Sequence, residues 1–145
     1  MEYTEEQEEV IILKSVIKEF IGNGFQVRIH DGEDYAGPAS MNIKAAMKET
    51  RSTDMDTIYA VVNEDNLSKV SEEVRDIYNK NKEKHPKVKD LELGFVTMIY
   101  GNGIDVLSDN SISVEKYIEK TKQVINDLDA GVYKPEKPDV SALEK

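Results

Sequence analysis

"LELGFVTMIYGNGIDVLSD", residues Leu91 to Asp109, is the stretch on which the fold turns. Its two arms are rich in β-branched and aromatic residues, and only Gly101-Asn102-Gly103 separates LELGFVTMIY from IDVLSD. So short a connection, with glycine at both ends, predicts an antiparallel hairpin closed by a small bulged turn. The same GNG triplet occurs at Gly22-Asn23-Gly24, which raises the question of a phosphate-cradling loop. A dinucleotide loop needs G-x-G-x-x-G between a strand and a helix. Gly101 to Val106 lacks the third glycine and leads into a strand, the first triplet follows a helix, and G-x-x-x-x-G-K-[ST] occurs nowhere. Both triplets are punctuation.

Upstream of the hairpin, Val10, Leu13, Ile17 and Phe20 recur at helical spacing, Thr4 and Gln7 have the pattern of a capping box, and Gly22 and Gly24 suit a left-handed C-cap. FQVRIH then alternates Phe25, Val27 and Ile29 with Gln26, Arg28 and His30, the period of a half-buried strand. Asp31-Gly32 reads as a tight turn into a return strand at Tyr35-Ala36, ended by Gly37-Pro38. A short helix follows with Ser40 as N-cap and Ile43, Ala46 and Met47 inward, and the loop RSTDMD feeds the strand TIYAVVN. Leu67, Val70, Val74, Ile77 and Tyr78 mark another helix, which dissolves into a lysine-rich loop broken by Pro86. After the hairpin, Ser113 is placed to cap a last helix with Val114, Ile118, Thr121, Ile125 and Leu128 on one face and Gly131 just past its end.

This order predicts an α+β protein, an antiparallel sheet of about four to five strands with helices packed on one face. At 145 residues the chain suits one domain, residues 1–130, in which 64–90 forms a helical insertion with its lysine-rich loop, followed by a flexible tail over 131–145. Apolar content of 39% against 33% charged residues suits a folded soluble protein. The chain has no cysteine, so disulfides, thiolate metal sites and cysteine nucleophiles drop out, and the acidic start lacks the positive charge of a secretory signal. A cytoplasmic protein with no membrane segment is expected. A net charge of -10 disfavours direct nucleic-acid binding, which is driven by phosphate neutralisation.

Sites are harder to read. Carboxylates cluster at Asp31, Glu33 and Asp34, at Asp54 and Asp56, and at Asp105 and Asp109, but no calcium-loop spacing is matched, and turn chemistry accounts for them without a metal. His30 beside Asp31 could act as a general base, with Asp31 or Asp34 as the orienting carboxylate, whereas His85 reads as exposed. Neither G-x-S-x-G nor H-E-x-x-H is present. Tyr35, Tyr59 and Tyr100 fall on or beside strands, and with Arg28 they could line one open face of the sheet.

VRIHDGEDYA, STDMDTIYAVV and LGFVTMIYGNGIDVLSDNS together resemble a group of small uncharacterised proteins encoded by bacteriophages and prophages. The shared features are an Asp-Gly turn followed by acidic and aromatic residues (Asp31 to Tyr35), a T-D-x-D strand (Thr53 to Asp56) and a final hairpin (Gly94 to Asn102). The 64–90 segment departs from that pattern. The resemblance carries no activity; it implies a phage origin, with host-directed inhibition, including interference with bacterial defence, favoured over metabolism.

The expectation is a small acidic binding protein without catalytic residues, metal or cofactor, which occludes a host or phage protein or sequesters a small ligand. Its candidate contacts are Arg28, His30, Tyr35, Tyr59, Tyr100 and Asn102. Two alternatives stand beside it: an acidic decoy whose carboxylates imitate nucleic-acid phosphates, and a small hydrolase or transferase using His30 with a carboxylate.

Overall fold

A computed structural model of the chain describes residues 3–31, 35–48, 55–99, 103–107 and 114–135. The first helix, α1 (Glu5–Gly22), begins at the expected capping box: Gln7 N–H donates to Thr4 Oγ1 at 3.1 Å and Thr4 N–H to Gln7 Oε1 at 2.9 Å. Its buried stripe is Leu13, Val16, Ile17 and Phe20, whereas Val10, which fits the same spacing, is 48% exposed. Gly22 remains helical. Only Gly24 takes a positive φ (+92°) here, and a Cβ at that position would lie 2.2 Å from the Lys69 carbonyl oxygen.

The sheet has a three-stranded antiparallel centre, β1 (Gln26–Asp31), β3 (Met55–Val62) and β4 (Leu91–Ile99). β2 (Tyr35–Ala36) pairs with the outer edge of β1 and β5 (Gly103–Leu107) with that of β4, giving the order β2-β1-β3-β4-β5. β4 and β5 run antiparallel with Ile99 opposite Gly103, the expected hairpin. Between Ala60 and Val61 the β3–β4 register shifts: Ala60 faces Gly94, Val61 faces Glu92, and Leu93 is the extra residue of a bulge.

That bulge decides which side chains share a face. Val27, Ile29, Ile58, Ala60, Val62, Leu93 and Val96 join one buried cluster with the α1 stripe, Phe25, Ala46, Val70, Val74, Tyr78 and Ile118. Each of its large side chains, once buried, contributes roughly 1.5–3 kcal/mol. Strict alternation along LELGF would put Leu93 and Phe95 on one side. With the bulge, Leu93 enters the core, while Glu92 and Phe95 both come to the opposite face.

The remaining helices depart from expectation at their ends, for physical reasons. α2 (Ile43–Lys48) is capped by Asn42, whose Oδ1 accepts from Ala45 N–H at 2.8 Å. Ser40 instead bridges to β1, pairing its backbone with Val27. α3 (Glu72–Lys84) starts at Ser71, after a 3₁₀ turn over Leu67–Lys69, and it continues through Lys80, Lys82 and Lys84, so these lysines are helical rather than part of a loop. α4 (Glu119–Asp129) is preceded by a separate 3₁₀ turn, Val114–Tyr117, and Ser113 lies outside the described residues.

The break at Ile118 is held by α1: the Glu19 carboxylate accepts from Lys120 N–H at 2.7 Å and from Thr121 N–H at 2.8 Å, and the Thr121 hydroxyl bonds to it as well. A carboxylate at a helix start satisfies orphan donors and complements the helix dipole. Fully buried Asn66 does a similar service elsewhere. Its amide donates to Gly24 O at 2.9 Å and Val61 O at 3.0 Å, and its Oδ1 accepts from Asn63 N–H at 2.8 Å, locking the α1–β1 turn to the end of β3.

Candidate functional site

Side chains with chemistry gather on the sheet face opposite the core cluster. The register aligns Arg28, Tyr59 and Phe95 in one row, with His30, Thr57 and Thr97 in the row beside it and Gln26, Val61 and Glu92 on the other side. The His30 and Tyr59 ring centroids are 4.4 Å apart, and those of Tyr59 and Phe95 5.2 Å apart, both pairs tilted. The result is a continuous aromatic strip across three strands, half-buried rather than enclosed. Thr57 and Thr97 next to it are buried, with their hydroxyls 3.3 Å apart.

Charge is organised around Arg28. Its Nε–H donates to Gly37 O at 3.2 Å, its Nη2 to Asp90 Oδ2 at 2.5 Å, and its Nη1 lies 3.5 Å from Glu92 Oε2. That same Glu92 oxygen lies 3.0 Å from His30 Nε2. All three guanidinium nitrogens therefore have acceptors within the chain, so Arg28 positions Asp90 and Glu92. Asn63 Nδ2 donates to the second oxygen of Asp90 at 2.9 Å and to Gln26 Oε1 at 2.9 Å. Partial burial raises the Asp90 pKa, but the hydrogen bonds from Asn63 and Arg28 and the charges of Arg28 and Lys89 outweigh it and hold the carboxyl below its ordinary value.

Asp90 also lines a neighbouring open cleft of about 640 Å³, together with Asn63, Glu64, Asp65, Lys82, Lys87 and Lys89. Lys82 is tied down there by the Val88 carbonyl at 3.1 Å. The Tyr78 hydroxyl is buried and has no hydrogen-bond partner among the described residues. Burial, then the charges of Glu64 and Asp90, raise its pKa. Among the described residues no three His, Asp or Glu side chains converge as metal ligands, and no helix is long and apolar enough to cross a membrane.

Of the residues singled out in the sequence, Arg28, His30 and Tyr59 come together. Tyr35 takes its place on β2 opposite Asp31, with its side chain outside the described residues, and Tyr100 and Asn102 lie outside them entirely. The carboxylate beside His30 is Glu92, 62 residues along the chain rather than in the adjacent acidic turn, and the side chains of Asp31 and Asp34 are not among those described. His85 is the exposed cap of α3. Sequence reasoning missed Asp90, Glu92 and Phe95; the available signal was Gly94 inside a strand, a common mark of a bulge.

No family model, no curated protein and no solved structure matches this chain.

Proposed function

We propose that this protein is a binding protein that uses the sheet face opposite its core cluster to occlude a protein partner. The reading takes the fold as an antiparallel sheet of four to five strands with its helices on one face, supported by the strand pairings and by the core cluster that joins sheet and helices. The observation that carries it is the strip His30–Tyr59–Phe95 with Asp90 and Glu92 held beside it by Arg28. Aromatic rings are enriched at recognition surfaces, and charges arranged beside them set specificity and register. A phage origin, implied by the resemblance of the sequence, fits a host-directed inhibitor of this kind.

The test is to express the tagged protein in bacterial cells beside a Tyr59→Ala/Glu92→Ala variant, and to identify co-purifying proteins and any small molecule released on denaturation. A stoichiometric protein lost from the variant supports occlusion. A released metabolite supports sequestration on the same face, and a partner retained by the folded variant overturns the sheet-face reading.

A second reading rests on His30 Nε2 lying 3.0 Å from Glu92 Oε2, the geometry of a general base oriented by a carboxylate. A hydrolytic activity abolished by His30→Ala would establish it; an activity that survives His30→Ala would remove the base.

A further inference from the structure

The protein-binding reading leaves the nature of the partner open, and the electrostatics of the face narrow it. Three features point the same way. First, Arg28 donates to Gly37 O and Asp90 and pairs with Glu92, so its positive charge is already matched within the chain. Second, one guanidinium, that of Arg28, stands against two carboxylates, Asp90 and Glu92, so the carboxylates outnumber the cation that holds them. Third, the Tyr59 and Phe95 rings beside these carboxylates are half-buried, and the whole chain carries a net charge of -10, so long-range attraction favours a cation.

We infer that the occupant of this face is a basic protein segment that lays an arginine guanidinium on the Tyr59 and Phe95 rings, with Asp90 and Glu92 as its counter-ions. Guanidinium is the cation that suits both neighbours at once: its plane stacks on aromatic rings, and its fork of donors matches carboxylates. Ammonium has only the point charge. Arg28 and Asn63 act as positioning residues, since they fix the Asp90 oxygens from the side.

This inference rests on the sheet-face binding reading and is tested separately from it. The probe is a ten-residue peptide of alternating arginine and glycine, titrated into the ¹⁵N-labelled protein and followed by amide chemical shifts. Its controls are the same peptide with citrulline for arginine, which keeps the shape and loses the charge, and spermine, which has charge without guanidinium. The expected result is that the arginine peptide shifts the amides of Arg28, Tyr59, Glu92 and Phe95 and binds at least about fivefold tighter than the citrulline peptide. Binding weakens by a similar factor with Tyr59→Leu or with the near-isosteric Glu92→Gln, falls with added salt, and is unchanged by Glu5→Gln/Glu8→Gln on α1.

Shifts confined to α1, equal binding of the citrulline peptide or spermine, or indifference to both face substitutions would overturn the arginine occupant. If a cellular partner is lost with Tyr59→Ala/Glu92→Ala while the arginine peptide does not bind, the face remains a binding site and only its basic occupant is refuted.

Discussion

Arg28 and Asp90 meet at 2.5 Å across 62 residues of chain, and this contact joins the sheet face to the cleft beside it. Arg28 comes from β1, while Asp90 stands at the entrance to β4, at the end of the lysine-bearing connector from α3. The pair is part-exposed, so its role is more to set geometry than to hold the fold. Asp90→Asn is expected to lower stability by only about 1 kcal/mol while loosening Arg28, which chemical denaturation and the Arg28 side-chain NMR signals would show.

The same carboxylate makes a pH prediction. Its folded pKa lies below the unfolded value, so its contribution to stability is present above the unfolded pKa, about 4, and is lost as pH falls through the folded value beneath it. Denaturation midpoints of the native protein and Asp90→Asn should converge as pH is lowered from 6 toward about 2. A constant difference over that range would show that the Asp90 charge does not stabilise the fold.

Glu19 capping α4 should appear as a local effect. Glu19→Ala is expected to cost about 1–2 kcal/mol and to accelerate hydrogen exchange at Lys120 and Thr121 more than elsewhere in α4, because their amides lose a carboxylate acceptor.

Asn66→Ala removes three hydrogen bonds from a fully buried site and leaves Gly24 O, Val61 O and Asn63 N–H without that partner. A loss of about 2–3 kcal/mol in urea unfolding is the expected outcome. A cost below about 0.5 kcal/mol would mean that water replaces the amide.

Tyr78 is expected to behave in the opposite way. Its hydroxyl is buried with no partner among the described residues, so Tyr78→Phe should be neutral or slightly stabilising at pH 7, within about 0.5 kcal/mol. Its folded pKa is raised, so the native protein loses stability as pH rises past the unfolded value of about 10, and Tyr78→Phe should reduce that loss. Unfolding curves at pH 8 and pH 11 check both statements.

Most of the architecture was legible because its signals are local. The Thr4–Gln7 box, the alternation around Val27 and Ile29 and the GNG connection each depend on residues close in sequence, and the helix, strand and hairpin they announce are present. What escaped the sequence was non-local. α4 starts at Glu119 because a carboxylate a hundred residues earlier caps it, and no spacing rule on VEKYIEK records that. Arg28 and His30 were legible as one face of β1 from strand phase, and Tyr59 as an aromatic residue on a neighbouring strand. Glu92 was hidden because a bulge opposite Ala60 and Val61 reverses the phase of β4, and Asp90 because its role depends on the path of the connector from α3.

The most direct measurement places a photo-cross-linking phenylalanine analogue at position 59 and, in a parallel sample, at exposed Lys14 on α1, then irradiates bacterial cells expressing each protein. Cross-linking of a discrete protein from position 59, absent from position 14 and diminished by Glu92→Gln, is the expected result. A partner captured from position 14 and never from position 59 would contradict the claim that the sheet face carrying Tyr59 is where this protein binds.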